Sequence, residues 1–153
     1  MAINEKSIAS VLDEYERKDI ELKKKSENEH QQFLLVHSKA VAVAKEKVVP
    51  VLKQVETLLV SRGHQCKITE EFGANYYVPS VEMQVYPKHS FQDQYSINNI
   101  KFSFNVNENY VEITSETHTG HSQGKKGFKK YKIEELTQEI VEVELESYIH
   151  NIF

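Results

Sequence analysis

The chain has 153 residues, the size of one domain. A hydrophobic share of 39% and a charged share of 27% supply material for a core and exclude a wholly disordered chain. A formal charge of −4 excludes a uniformly basic nucleic-acid binder. The single cysteine, Cys66, cannot close an intramolecular disulfide. The first ten residues carry charge where a secretory signal needs an apolar run, and no Asn-x-Ser/Thr sequon occurs. No apolar run approaches the roughly eighteen residues of a membrane span. These features predict a cytoplasmic protein with no membrane contact and no cofactor.

Pro50 and Gly63 are the only proline and glycine through residue 63, and the other six follow it. Residues 4–62 are accordingly rich in helix formers, with Asn4 as N-cap and Glu5 in the first turn. Ile8, Val11, Leu12, Tyr15 and Leu22 form a narrow apolar stripe at helical spacing. Residues 23–32 then contain no apolar side chain. An unbroken helix over 5–61 would be roughly 85 Å long at 1.5 Å per residue. The rest of the chain would form a globule only about 35 Å across. A break at Ser26, where Ser26 and Glu29 match a capping box, is the alternative. The absence of a Gly, Pro or Asp-rich turn favours the long helix.

Phe33, His37, Ala40, Ala44, Val48, Val51, Val55 and Leu58 continue one helical face. Around residues 40–44 the chain is apolar on every side, which calls for a second cover from another helix or a second copy. Pro50 predicts a kink or a new turn, and Gly63 a left-handed stop.

After Gly63 the period changes to two. Cys66 and Ile68 mark a short first strand; Val81, Met83 and Val85 mark a second, ended by Pro87. Ile100, Phe102, Phe104 and Val106 form the clearest strand. A tight hairpin at residues 107–109 leads to Val111 and Ile113. Residues 128–132 could add a last strand. From Ile133 onward Leu136, Ile140, Val143, Ile149 and Ile152 return to helical spacing, with Glu134 and Glu135 in the first turn.

The predicted fold is α+β: a long N-terminal helical region, a four- to five-stranded antiparallel meander and a C-terminal helix. Residues 1–32 form an N-terminal helical arm and residues 33–153 a single α+β body.

Chemistry is sparse. Residues 120–132 carry a local charge of +5, with Lys125, Lys126, Lys129 and Lys130 beside three glycines. Lysines and backbone N–H groups in such a loop suit phosphate, and Phe128 and Tyr131 could stack on bases. Gly120 and Gly124 are one residue too close for a P-loop, and no Ser or Thr follows Lys125. The bland alternative is a hairpin beside a lysine-guarded edge strand.

His118 and His121, with Glu116 before them, have the residue types of a divalent-metal site and would suit a metal-dependent hydrolase. His64 and Cys66 share a strand face but lack two further ligands. Gly120, Ser122 and Gly124 match G-x-S-x-G only by letters, in a chain too short for the fold that uses it. The pairs Glu70–Glu71 and Glu134–Glu135 read as solvated ends of elements. Tyr76, Tyr77, Tyr86, Tyr95 and Tyr110 could line a groove, although tyrosine is common on half-buried sheets.

The leading expectation is a non-enzymatic interaction protein, an accessory subunit that pairs with itself, as a coiled-coil dimer, or with another protein. Its assembly surface would comprise Ile8, Leu12, Tyr15 and Leu22 on the arm, with Ala40, Val41, Val43, Ala44 and Val48.

Overall fold

The computed structural model describes residues 3–73, 75, 77–88, 98–118 and 125–153. The chain divides into two compact units, Met1–Leu35 and Val36–Phe153.

The first unit is helical. Asn4 caps helix α1 (Glu5–Val43), its Oδ1 accepting the Ser7 N–H at 3.2 Å. α1 passes through Ser26, and the capping box there goes unused. Lys, Glu and Gln, which dominate residues 23–32, tolerate a helix interior, and nothing in that stretch forbids helical backbone angles. Ion pairs one turn apart, Lys18–Glu14 at 3.6 Å and Lys23–Asp19 at 3.2 Å, support the exposed surface.

In the second unit α1 leads into one widened π turn (Ala44–Val48) and then α2 (Val49–Ser61). The N–H of Val49 donates to the carbonyl of Ala44, five residues back. Pro50 sits in the first turn of α2, has no N–H, and would crowd the carbonyl four residues before it in an unbroken α-helix. The widened turn removes that conflict without ending the helix. α2 stops in a Schellman motif. Gly63 has φ +88°, its N–H donates to Val60 O at 3.0 Å, and the His64 N–H donates to Leu59 O at 3.0 Å.

Five antiparallel strands follow in a meander ordered β1 to β5: β1 (Gln65–Glu71), β2 (Ser80–Tyr86), β3 (Asn98–Asn105), β4 (Tyr110–Thr117) and β5 (Lys125–Lys132). The β3–β4 turn uses Asn109 at φ 60°, with Asn105 Oδ1 accepting the Glu108 N–H at 3.1 Å. Met83 stands opposite Ile100, and Phe102 between Val81 and Ile113. These side chains are buried and alternate with polar ones, as a sheet covered on one side requires. α2 packs along β1, the π turn on β2, and the last helix on β3 and β4.

That last helix starts later than its sequence pattern implies. Ile133–Glu135 form a separate 3-10 turn, and α3 (Gln138–Ile152) is capped by Thr137, whose hydroxyl accepts the Ile140 N–H at 3.2 Å. The buried face of α3 is Val141, Leu145, Tyr148 and Ile152, so Val143, expected inside, is exposed. Moving the cap rotates the face that meets the sheet. β5 extends three residues before the expected start at 128.

Ala40, Ala44 and Val48 are wholly buried. The second cover they require comes from within the chain, where the π turn packs against both α3 and β2. They are core residues and do not belong to an exposed surface. Val41 and Val43 are half-buried.

Candidate functional site

On the first unit Ile8, Val11, Leu12, Tyr15 and Leu22 share one helix face and remain 49–68% exposed. No residue of α1 before His37 is buried. Fully burying one such aliphatic side chain is worth about 1.5–3 kcal/mol, so the stripe is costly to leave in water. Glu5 and Glu16 border it on one side and Lys18 on the other, and Asp19, paired with Lys23, interrupts it between Tyr15 and Leu22.

The candidate lysines lie on β5, an edge of the sheet and its most exposed strand. Lys129 Nζ is 2.9 Å from Glu144 Oε1 on α3, and Tyr131 donates its hydroxyl to the same oxygen at 3.3 Å. The hydrogen bond that Lys129 donates to Glu144 raises the Lys129 pKa; burial, then the Glu144 charge, raises that of Tyr131. Lys130 Nζ lies 3.9 Å from Glu108 Oε2 and 4.3 Å from the centre of the Tyr110 ring. Lys126 stands opposite Glu116 and Lys130 opposite Glu112 across the β4–β5 ladder. Acidic neighbours therefore offset most of the lysine charge. Lys125 and Lys126 have no ion pair among the described residues. Beside them a groove of about 520 Å³ opens between β5 and α3, with Ile113, Ser115, Val143 and Glu144 among its walls.

Glu116 Oε1 lies 3.5 Å from His118 Nε2, consistent with their shared face. His121, Gly120, Ser122 and Gly124 fall outside the described residues. Among those described, no three His, Cys, Asp or Glu side chains gather to hold a metal. The His118 N–H donates to Asn98 Oδ1 at 2.7 Å, which ties the end of β4 to β3. His64 is turned to structural work: its Nδ1 accepts the Lys88 N–H at 3.1 Å and its ring lies 4.8 Å from that of Phe153. Burial, with the Glu56 charge second, pushes the Cys66 thiol up to about 11, which suits an inert packing residue.

The remaining candidates serve the fold. Glu71 Oε2 accepts the Ser80 hydroxyl at 3.4 Å. Glu134 Oε1 accepts the Asn109 amide at 2.6 Å, which holds its carboxyl below the usual range. Tyr86 donates to Gln84 at 2.8 Å, Tyr110 underlies Lys130, and Tyr77 is exposed. Tyr76 and Tyr95 fall outside the described residues.

Sequence reasoning missed two features of this region. Val143 is exposed at the groove, and Glu144 joins α3 to β5. Thr137, a good N-cap residue, was the signal that could have set the register of α3 and revealed both.

Protein-family models, curated proteins and solved structures give no match to this chain. No helix among the described residues is long and apolar enough to cross a membrane.

Proposed function

We propose that this chain is a non-enzymatic assembly protein that self-associates through residues 8–22 of α1 and serves as an accessory subunit of a larger complex. One observation carries the reading. Ile8, Val11, Leu12, Tyr15 and Leu22 lie on one face of a helix and are about half-exposed or more. Contiguous exposed apolar surface of this kind marks an interaction site. A coiled-coil contact between two such helices is one form the dimer can take, because the 8, 12, 15, 22 spacing fits a heptad seam. A cytoplasmic setting belongs to the same reading, since a lone thiol stays reduced there.

Sedimentation velocity on a dilution series tests it. The wild-type chain should sediment as a dimer that dissociates on dilution, and Leu12→Glu/Tyr15→Glu should sediment as a monomer. Equal monomer behaviour of both would overturn the reading. A second reading draws on Lys125 and Lys126, which lack ion pairs among the described residues: capture of an anionic ligand such as nucleic acid. It requires binding that falls steeply with salt and weakens in Lys125→Gln/Lys126→Gln.

A further inference from the structure

The slot between β5 and α3 is edged by polar side chains with free bonding capacity. Residues that stand opposite in an antiparallel ladder share a face, so Lys125, Gly127 and Lys129 lie with Thr117, Ser115 and Ile113. That face is the one α3 covers, because Lys129 bonds Glu144 of α3. Lys126 and Phe128 point to the opposite face.

The same bond aligns the two walls. From Glu144, α3 reaches Asn151 after about 10 Å at 1.5 Å per residue. From Lys129, β5 reaches Lys125 after about 13 Å at 3.3 Å per residue. Both residues line the slot, which is thus bounded by the Lys129–Glu144 pair at one end and by Lys125 and Asn151 at the other. Ser115 of β4 and Ser147 of α3 line it between these ends.

Gly127 shapes the floor. Its backbone does not call for glycine: among the described glycines only Gly63 has a positive φ, and the β4–β5 register runs without a bulge. A Cβ at position 127 would stand 2.6 Å from Ser115 Oγ, so the missing side chain leaves that hydroxyl in the floor. A glycine inside a strand often marks the close approach of a ligand.

Among the described residues, no hydrogen bond or ion pair engages the side chains of Ser115, Lys125, Ser147 or Asn151. Thr117, directly opposite Lys125 and 2% exposed, also has a hydroxyl without a partner. Folded proteins seldom leave buried hydroxyls unbonded. At about 520 Å³ the slot has the volume of a small-molecule site.

We infer that this slot binds a small polyhydroxy anion, with its head group at Lys125 and Asn151 and its hydroxyls on Ser115 and Ser147. Lys125 brings an unpaired positive charge, which selects an anion, and the serines bond hydroxyls of either polarity. The inference rests on the anion reading above, narrows it to Lys125, and is independent of self-association through α1.

The test follows backbone amides of the full chain by NMR as inositol monophosphate, gluconate or neutral inositol is added. At least one of the two anions should shift the Ser115, Gly127, Ser147 and Asn151 amides saturably, with a Kd below about 1 mM, and inositol should not. The tighter binder identifies the head group as phosphate or carboxylate. Lys125→Gln should weaken binding about tenfold, and Lys126→Gln, on the other face, should leave it unchanged. Gly127→Val should abolish it by filling the floor, with circular dichroism to verify folding. If that variant does not fold, the contrast between Lys125→Gln and Lys126→Gln decides. Absence of saturable shifts at these amides with either anion at about 10 mM overturns the slot. Equal loss in the two lysine variants also overturns it, because diffuse charge is then what binds. If single-stranded DNA binds through both lysines and neither small anion binds, the slot is overturned and the anion reading stands. If DNA fails as well, both fall.

Discussion

The two units treat the same kind of residue in opposite ways. In the second, Phe102, Phe104, Leu52 and Met83 have no exposed surface. In the first, Leu12 and Tyr15 are more than half exposed in an equally regular helix. Helical periodicity says which residues share a face and nothing about what covers it. Covering comes from tertiary neighbours: Ala40, Ala44 and Val48 have them, whereas the residues of the 8–22 stripe stay 49–68% exposed. An apolar face without an internal partner is evidence of an external one, and this contrast is the basis for reading the chain as an assembly protein.

The largest expected effect lies in the core. Phe102→Ala should cost about 3–5 kcal/mol in urea denaturation, whereas Leu12→Ala should change the unfolding of the dilute monomer by at most about 0.5 kcal/mol. A similar cost at both sites would erase the contrast between the units. Gly63→Ala is expected to cost about 1–2 kcal/mol, since φ +88° penalises a Cβ and the Lys88 side chain stands 3.2 Å from where one would lie. Its melting temperature checks this.

The two helix caps sharpen the comparison at a smaller scale. Thr137→Ala removes the acceptor for the Ile140 N–H and should lower stability by about 1 kcal/mol, because α3 seals the core. Asn4→Ala removes the equivalent bond to Ser7 but should only fray the helix start. Denaturation and amide exchange distinguish the two outcomes.

Cys66 gives the mildest effect. Its thiol is held up to about 11 when folded, against an ordinary value of 9.0. Unfolded chains release that proton first, so stability falls as pH rises from about 9 to 11 and is unaffected below that window. Cys66→Ser should flatten that part of the stability profile. At pH 8 the native thiol should react with iodoacetamide far more slowly than the thiol of the unfolded chain.

Much of this fold was legible in the sequence. Alternation at Ile100, Phe102 and Phe104 and at Val81, Met83 and Val85 marked β3 and β2, because a half-covered sheet imposes that period. Gly63 marked the end of α2 through its backbone freedom, and Asn4 the start of α1 through its side-chain acceptor. The register of α3 was misread because Ile133 and Leu136 are buried outside any α-helix, in a 3-10 turn and the residue after it. Their apolar character mimicked a helical face that begins only after Thr137.

Site residues were less legible, because their surroundings come from distant parts of the chain. Nothing near Ala40 or Ala44 in sequence reveals that α3, about a hundred residues later, covers the adjoining turn. The lysine run was visible, but its offset by Glu144, Glu116 and Glu108 depends on the β4–β5 register and the placement of α3.

Hydrogen exchange at two protein concentrations tests the central claim most directly, because it reads the 8–22 amides themselves. At high concentration those amides should be protected. On dilution their exchange should accelerate about tenfold or more while the β3 amides stay unchanged. Exchange over residues 8–22 that is equally fast at every concentration would contradict the account, because no second chain would then cover the stripe.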